Sequence, residues 1–212
     1  MIISHKHQYI FFAIPKTGTH SVRQALRLHA GDQDLEQVGL FVQKRFPFPE
    51  FAGIRHGHIS ARQIRPVLGD ATFNQYLKFA FVRNPYERFV SYCAFMTRSG
   101  DEFKIEPRAV MKHVISSDGL LAHLLCRPQH EFIVDDTGHV AMDYVGRNET
   151  MQLSYDIITD RLGLPKETLT RANSSEHRPW PEYYDRDLID SVGKIYRRDL
   201  ELFGYEFDRH AS

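Results

Sequence analysis

The segment Ile14-Pro15-Lys16-Thr17-Gly18-Thr19-His20-Ser21 places a cation, a glycine and three hydroxyls within eight residues. An apolar run, Tyr9-Ile10-Phe11-Phe12-Ala13-Ile14, stands directly before it and reads as a buried strand. After it, Val22, Ala25 and Leu26 fall on one helical face. A turn rich in Gly, Thr and Ser between a strand and a helix converges backbone N–H groups on one spot. The helix N-terminus adds partial positive charge there, so such a turn is a phosphate cradle. Lys16 supplies a full charge at its rim, and Thr17, Thr19 and Ser21 supply hydroxyl donors. The turn is not a Walker A loop, which needs its Lys after the glycine; here Lys16 precedes Gly18.

A second segment repeats the strand-to-helix pattern. Lys78-Phe79-Ala80-Phe81-Val82 reads as a short buried strand that ends in Arg83-Asn84-Pro85. Asn84 suits a helix N-cap, Pro85 the first helical position, and Glu87 completes an Asn-x-x-Glu capping pattern. Tyr86, Phe89, Val90, Cys93 and Ala94 form the apolar face of the helix, with Ser91 on its flank. An Arg at the strand end and a Ser two turns into the helix can both reach one phosphate.

Together the two segments resemble the PAPS-dependent sulfotransferases. PKTGTHS is similar to that family's loop for the 5′-phosphosulfate, which implies donor contacts from Lys16 through Ser21. RNPYERFVS is similar to its 3′-phosphate site, with Arg83 and Ser91 as ligands. The spelling is closest to the carbohydrate-type (family 2) branch, which includes the heparan 2-O-sulfotransferases. Val145-Gly146-Arg147-Asn148-Glu149 and the closing YYDRDLIDSVGKIYRRDLELFGYEF resemble that branch too. The resemblance implies a three-layer, P-loop-NTPase-like α/β fold around a central parallel sheet. It implies PAPS as co-substrate, PAP as product, no metal, and a hydroxyl acceptor on a carbohydrate or glycolipid. His20 departs from the small hydroxylic residue usual in the loop; its backbone N–H is its expected contribution.

Sulfuryl transfer from PAPS to a hydroxyl is an in-line displacement that needs positioning, electrostatic stabilisation and one base. Lys16 is the expected cation at the leaving phosphate. For the base, an imidazole titrating near neutrality suits a sugar hydroxyl. His56-Gly57-His58 resembles an HGH sequence that supplies catalytic imidazoles in the heparan 2-O-sulfotransferases, and by that resemblance His58 is preferred to His56. Spacing alone decides nothing among twelve histidines, and Glu50 or Asp101 is the substitute should neither serve. Near Asn173-Ser174-Ser175, where a loop closes over the nucleotide in this branch, Arg178 is a further candidate for the 3′-phosphate. Trp180 is read equally as an adenine stacker or a core residue. Arg147 and Glu149 either line the acceptor side or form a structural ion pair.

Composition bounds these readings. The formal net charge is zero, which gives no general pull toward nucleic acid or anionic membrane, so anion binding must be local. A length of 212 residues suits one domain with a three-layer core. No apolar stretch reaches transmembrane length, whereas eukaryotic members of the branch carry an N-terminal anchor; the expectation is a cytoplasmic, bacterial enzyme. Two cysteines, Cys93 and Cys126, both within expected helices, make no disulfide framework.

Further helices are expected over 60–69 with a short turn over 71–77, over 107–116, 118–126 and 150–162, and over 186–203 ended by Gly204. A hairpin is expected around Asp135-Asp136-Thr137-Gly138. Two other functions compete. A P-loop kinase would need the missing Walker A lysine and an acidic metal residue at a strand end. A silent PAP- or PAPS-binding module shares the phosphate motifs but has no use for Lys16 and the HGH histidines.

Overall fold

The structure, a computed structural model, describes residues 1–39, 44–170 and 178–209. In chain order the described elements are β1 (Ile2–Ser4), β2 (Tyr9–Phe12), α1 (Thr19–Arg27), β3 (Leu35–Glu36), α2 (Ala61–Leu68), α3 (Asp70–Gln75), β4 (Leu77–Val82), α4 (Pro85–Met96), α5 (Glu102–Ile105), α6 (Pro107–Ile115), α7 (His130–Ile133), β5 (Tyr144–Arg147), α8 (Met151–Leu162), α9 (Arg186–Ile195) and α10 (Arg197–Phe203). Packing divides them between two compact units: Met1–Val82 with Glu131–Ala172, and Arg83–His130 with Asn173–Ser212.

The first unit is built on a five-stranded sheet of order β3-β1-β2-β4-β5. The strands anticipated from the apolar runs, β2 and β4, pair in parallel with Tyr9 opposite Leu77 and Phe12 opposite Ala80. β5 continues the parallel set, with Val82 opposite Arg147. The sheet is nevertheless mixed where a parallel one is expected, because β1 runs antiparallel to both β2 and β3. Strands of three and two residues are too short to show alternation, so neither was legible.

One sheet face packs Phe11, Phe79 and Phe81 against Val22, Ala25 and Leu26 of α1 and Tyr155 and Ile158 of α8. Phe11 and Phe79 stack at 5.3 Å. Burying one such side chain stabilises by about 1.5–3 kcal/mol, so this face fixes where the helices sit. α1 therefore runs from the sheet edge at which β2 ends, carrying the phosphate turn with it. α2 begins at Ser60, whose hydroxyl and Gln63 form a reciprocal capping box.

Three expectations change. The hairpin near Asp135 shrinks to α7 and a single bridge, Val134 to Val140. The chain beyond joins the free edge of β4 instead, pinned by Asp143, which accepts from the Lys78 N–H at 2.7 Å and pairs with its Nζ at 2.8 Å. Residues 118–126 hold only one 3₁₀ turn, Leu120–Ala122, so Cys126 lies outside a helix. The last helix divides at Tyr196, where ψ opens to 21°, although Leu200 N still donates to Tyr196 O at 3.0 Å.

The second unit has its own core. Tyr86, Phe89, Val90 and Cys93 of α4 pack with Trp180, Tyr183 and Tyr184 and with Leu188 and Val192 of α9. Buried hydroxyls find carbonyls: Tyr184 donates to Tyr86 O at 2.7 Å and Tyr196 to Cys126 O at 2.8 Å. No helix among the described residues is long and apolar enough to cross a membrane.

Candidate active site

The phosphate turn is strained in the way a backbone cradle requires. Lys16 and Gly18 both adopt left-handed backbone, at φ 64° and 74°. For a lysine that conformation costs about 1–2 kcal/mol and persists only where the surroundings enforce it. Thr17 does much of the enforcing. It is fully buried, and its hydroxyl donates to Ile14 O at 3.0 Å, closing the turn from within. Asn148, just after β5, donates its amide to Thr17 O at 3.2 Å.

The left-handed backbone at 18 favours glycine. A Cβ there would run into the Met151 methyl and lie 2.7 Å from Asn148 Nδ2. Gly18 is also the N-cap of α1 and offers no side-chain acceptor, so no cap competes for the first-turn N–H groups. An uncapped helix start behind a left-handed turn fits an anionic phosphosulfate. Of the expected hydroxyl donors, Thr17 faces inward and Ser21 spends its proton on Thr170 O at 2.6 Å. Thr19 is half-buried and His20 exposed, so what the turn offers an anion is mainly main chain and Lys16.

The histidine pair has defined tautomers. His58 Nδ1 lies 2.6 Å from Ala13 O; a carbonyl only accepts, so Nδ1 carries the proton and Nε2 the lone pair. His56 Nδ1 accepts from the His58 backbone N–H at 3.3 Å, so its proton sits on Nε2. The rings stack at 6.1 Å. One imidazole thus presents an acceptor and the other a donor. Ala13 lies between the end of β2 and Ile14, so the His58 hydrogen bond ends where the chain enters the phosphate turn.

Loss of hydration pushes the His58 imidazole down from 6.5 to about 3, against the raising effect of the Ala13 bond and helped by the nearby positive charges of the Met1 amino group and Arg23. It is neutral throughout the physiological range, which corrects the expectation of a base titrating near neutrality.

Gln37, which the sequence did not single out, organises this region. Its buried amide donates to Ile54 O and His56 O, both at 3.0 Å, and accepts from Phe46 N at 3.0 Å. Gly57 lies against the Gln37 carbonyl so closely that a Cβ has no room.

In the second unit, Asn84 caps α4 as expected, accepting from Tyr86 N at 3.1 Å. Glu87 takes Arg83 Nη2 at 2.6 Å. Ser91 is half-buried one turn beyond Glu87, so all three share a face of the helix start. Arg83 Nε is buried and has no partner among the described residues. An orphaned guanidinium N–H fits an anion such as a phosphate. Trp180 is a core residue: it is 7% exposed, lies parallel to Tyr86, and meets Tyr184 and Phe207 edge-on. Arg178 is exposed, and residues 173–175 lie outside the described residues. Arg147 and Glu149 are exposed, as are Glu50 and Asp101.

Among the described residues no group of three His, Cys, Asp or Glu side chains could hold a metal ion. A cavity of about 560 Å³ on α2 and α3 spends its arginines internally: Arg62 donates to Asp135 O and Arg65 pairs with Asp70.

Comparison with known proteins points to one family. Residues 1–106 match the family model described as Sulfotransferase family, and this stretch holds the phosphate turn, both histidines, Arg83 and Ser91. A protein of Archaeoglobus fulgidus, described as uncharacterized, is 27% identical over 115 residues, covering 54% of this chain and 91% of its own length. No solved structure matches. With half its length matched, the chain belongs to the sulfotransferase family, family 2.

Proposed function

We propose that the protein is a PAPS-dependent sulfotransferase that acts on a carbohydrate or glycolipid hydroxyl, built as a P-loop-NTPase-like three-layer domain. PAPS supplies an activated sulfuryl group when bound. The turn from Lys16 to Ser21 binds the 5′-phosphosulfate by main-chain N–H groups. Arg83 and Ser91 bind the 3′-phosphate. Lys16 stabilises the charge that grows on the leaving phosphate oxygen. His58 accepts the acceptor's hydroxyl proton on Nε2, and His56 donates its Nε2–H to an oxygen of the reacting groups.

One observation carries the reading. The His58 Nδ1–H bond to Ala13 O orients a neutral imidazole, its Nε2 lone pair intact, at the strand end that leads into the anion-binding turn. Base and cradle thus share one stretch of backbone. A base with so low a pKa is a weak proton acceptor in isolation, so the proton must move late, as the acceptor oxygen bonds to sulfur and its hydroxyl becomes strongly acidic while the electron pair departs with the phosphate oxygen.

The test has two arms. PAP in the presence of EDTA should raise the melting temperature by mass action. Lys16→Ala and His58→Ala should each lower turnover by about 100-fold or more, while His58→Ala leaves PAP affinity within about twofold. A shift with ATP-Mg and none with PAP refutes the donor assignment. Parental turnover in His58→Ala refutes the base.

A further inference from the structure

We infer that Gln129, held by Asp199, is a positioning residue that fixes Arg83 for the 3′-phosphate of the donor. This rests on the reading that Arg83 binds that phosphate.

Arg83 falls in a gap. β4 ends at Val82 and α4 begins at Pro85, so neither the sheet ladder nor the helix serves its main-chain groups. One side-chain amide serves both: Arg83 N–H donates to Gln129 Oε1 at 2.9 Å, and Gln129 Nε2 donates to Arg83 O at 2.9 Å. Gln129 acts here as a strand partner made from a side chain.

The clamp is itself anchored. Gln129 is fully buried, and its N–H donates to Asp199 Oδ2 at 2.7 Å. Asp199, also fully buried, takes His130 N at 2.9 Å and His130 Nδ1 at 2.6 Å on its other oxygen. A carboxylate buried with three donors around it holds them rigidly. The next residue is tied as well, since Asn84 donates its amide to Glu206 O at 3.0 Å. The backbone at 83–84 is thus fixed from α10, from the segment before α7 and from the chain after α10.

The side chain is held differently. Glu87 takes one guanidinium nitrogen, and the buried Nε–H has no partner among the described residues. A rigid main chain with one buried donor left open is a pre-organised anion contact, since less freedom is lost when the anion arrives. Only an amide satisfies both Arg83 groups; a carboxylate at 129 would oppose the Arg83 carbonyl.

The experiment compares PAP with AMP, the same nucleotide without the 3′-phosphate, by calorimetry on the full chain. Arg83→Ala is the reference and should weaken PAP while sparing AMP. Gln129→Met should weaken PAP by about tenfold and change AMP by less than about twofold. In the Arg83→Ala background, Gln129→Met should cost PAP nothing further, because coupled residues do not add. Gln129→Glu keeps one arm of the clamp and serves where the Met variant does not fold; it should show the same selective loss. Equal losses for PAP and AMP, or a PAP loss that persists without Arg83, overturn the inference and leave Gln129 a fold residue. Should Arg83→Ala weaken PAP and AMP alike, the phosphate reading falls and takes the clamp's purpose with it. A selective Arg83→Ala beside a silent Gln129→Met overturns the clamp alone.

Discussion

Gly57→Ala adds one methyl group between the two histidines. Its Cβ would overlap the Gln37 carbonyl oxygen and lie 2.9 Å from the Gln37 carbonyl carbon and 3.2 Å from Met1 N. These are main-chain atoms in the pairing of residue 1 with residue 37, where Gln37 N donates to Met1 O at 3.1 Å. They cannot rotate away as a flexible side chain would. Normal contact therefore demands a movement of about 1 Å, and the HGH segment must make most of it. Overpacking of this kind costs about 1–3 kcal/mol, which lowers Tm by about 2–10 °C in a chain of this size. The chemistry should suffer more. A misplacement of about 1 Å in a catalytic group costs about 100-fold, and the His58 bond to Ala13 is in the path of the movement. The turn's own bonds, Thr17 to Ile14 and Asn148 to Thr17, do not run through Gly57. Turnover should fall by about two orders of magnitude while PAP affinity stays within about threefold, measured by steady-state kinetics beside calorimetry. Gly53→Ala is the control in the same segment, with nothing within 4 Å of its Cβ, and should leave both unchanged. Parental turnover in Gly57→Ala, or turnover and PAP binding lost together, would refute the separation of base from cradle.

Three further outcomes are expected. Gly18→Ala imposes a left-handed alanine, costing about 1–2 kcal/mol, and clashes with Met151 and Asn148; PAP affinity should fall by about tenfold or more, read by calorimetry. Gln37→Leu unties Ile54, His56 and Phe46; it should lower turnover more than PAP affinity, and equal losses would deny Gln37 its link to the histidines. His58 is held neutral at about 3 when folded against 6.5 ordinarily, so the unfolded chain binds the proton first and stability falls as pH drops. The loss begins below about pH 6.5, approaches a limiting slope of about 1.4 kcal/mol per pH unit, and is complete near pH 3. His58→Gln should remove that component from urea midpoints measured across the window, and turnover should show no His58 limb between about pH 5 and 8.

The strand–turn–helix segments were legible because each carries several agreeing signals. Tyr9–Phe12 is apolar, Gly18 breaks it, and Val22, Ala25 and Leu26 resume at helical spacing. Asn84 with Pro85 announced its helix through a cap. The edge strands failed the same test, since two or three residues have no period. The apolar run over 140–145 reads as one arm of the local hairpin at Asp135, whereas β5 takes its pairing from the distant edge of β4. The site divided likewise. Lys16, the histidines and Arg83 sit in motifs with a chemical signature. Gln37 and Gln129 do not, because a buried amide that binds main chain leaves no pattern in the residues around it. The inward turn of Thr17 was equally hidden, since a hydroxyl's direction is set by the left-handed residues beside it.

A turn with Thr17 spent on Ile14 O and Ser21 on Thr170 O has little left with which to tell ligands apart. Main-chain N–H groups and one lysine greet any terminal phosphate or sulfate ester with similar warmth. On the proposed reading, choice of the donor as a particular nucleotide then rests on Arg83 and Ser91. Nucleotides without a 3′-phosphate should then act as weak competitors, never as strangers. A change that relaxes donor choice belongs near α4, while one that alters the rate at a fixed donor belongs near β2.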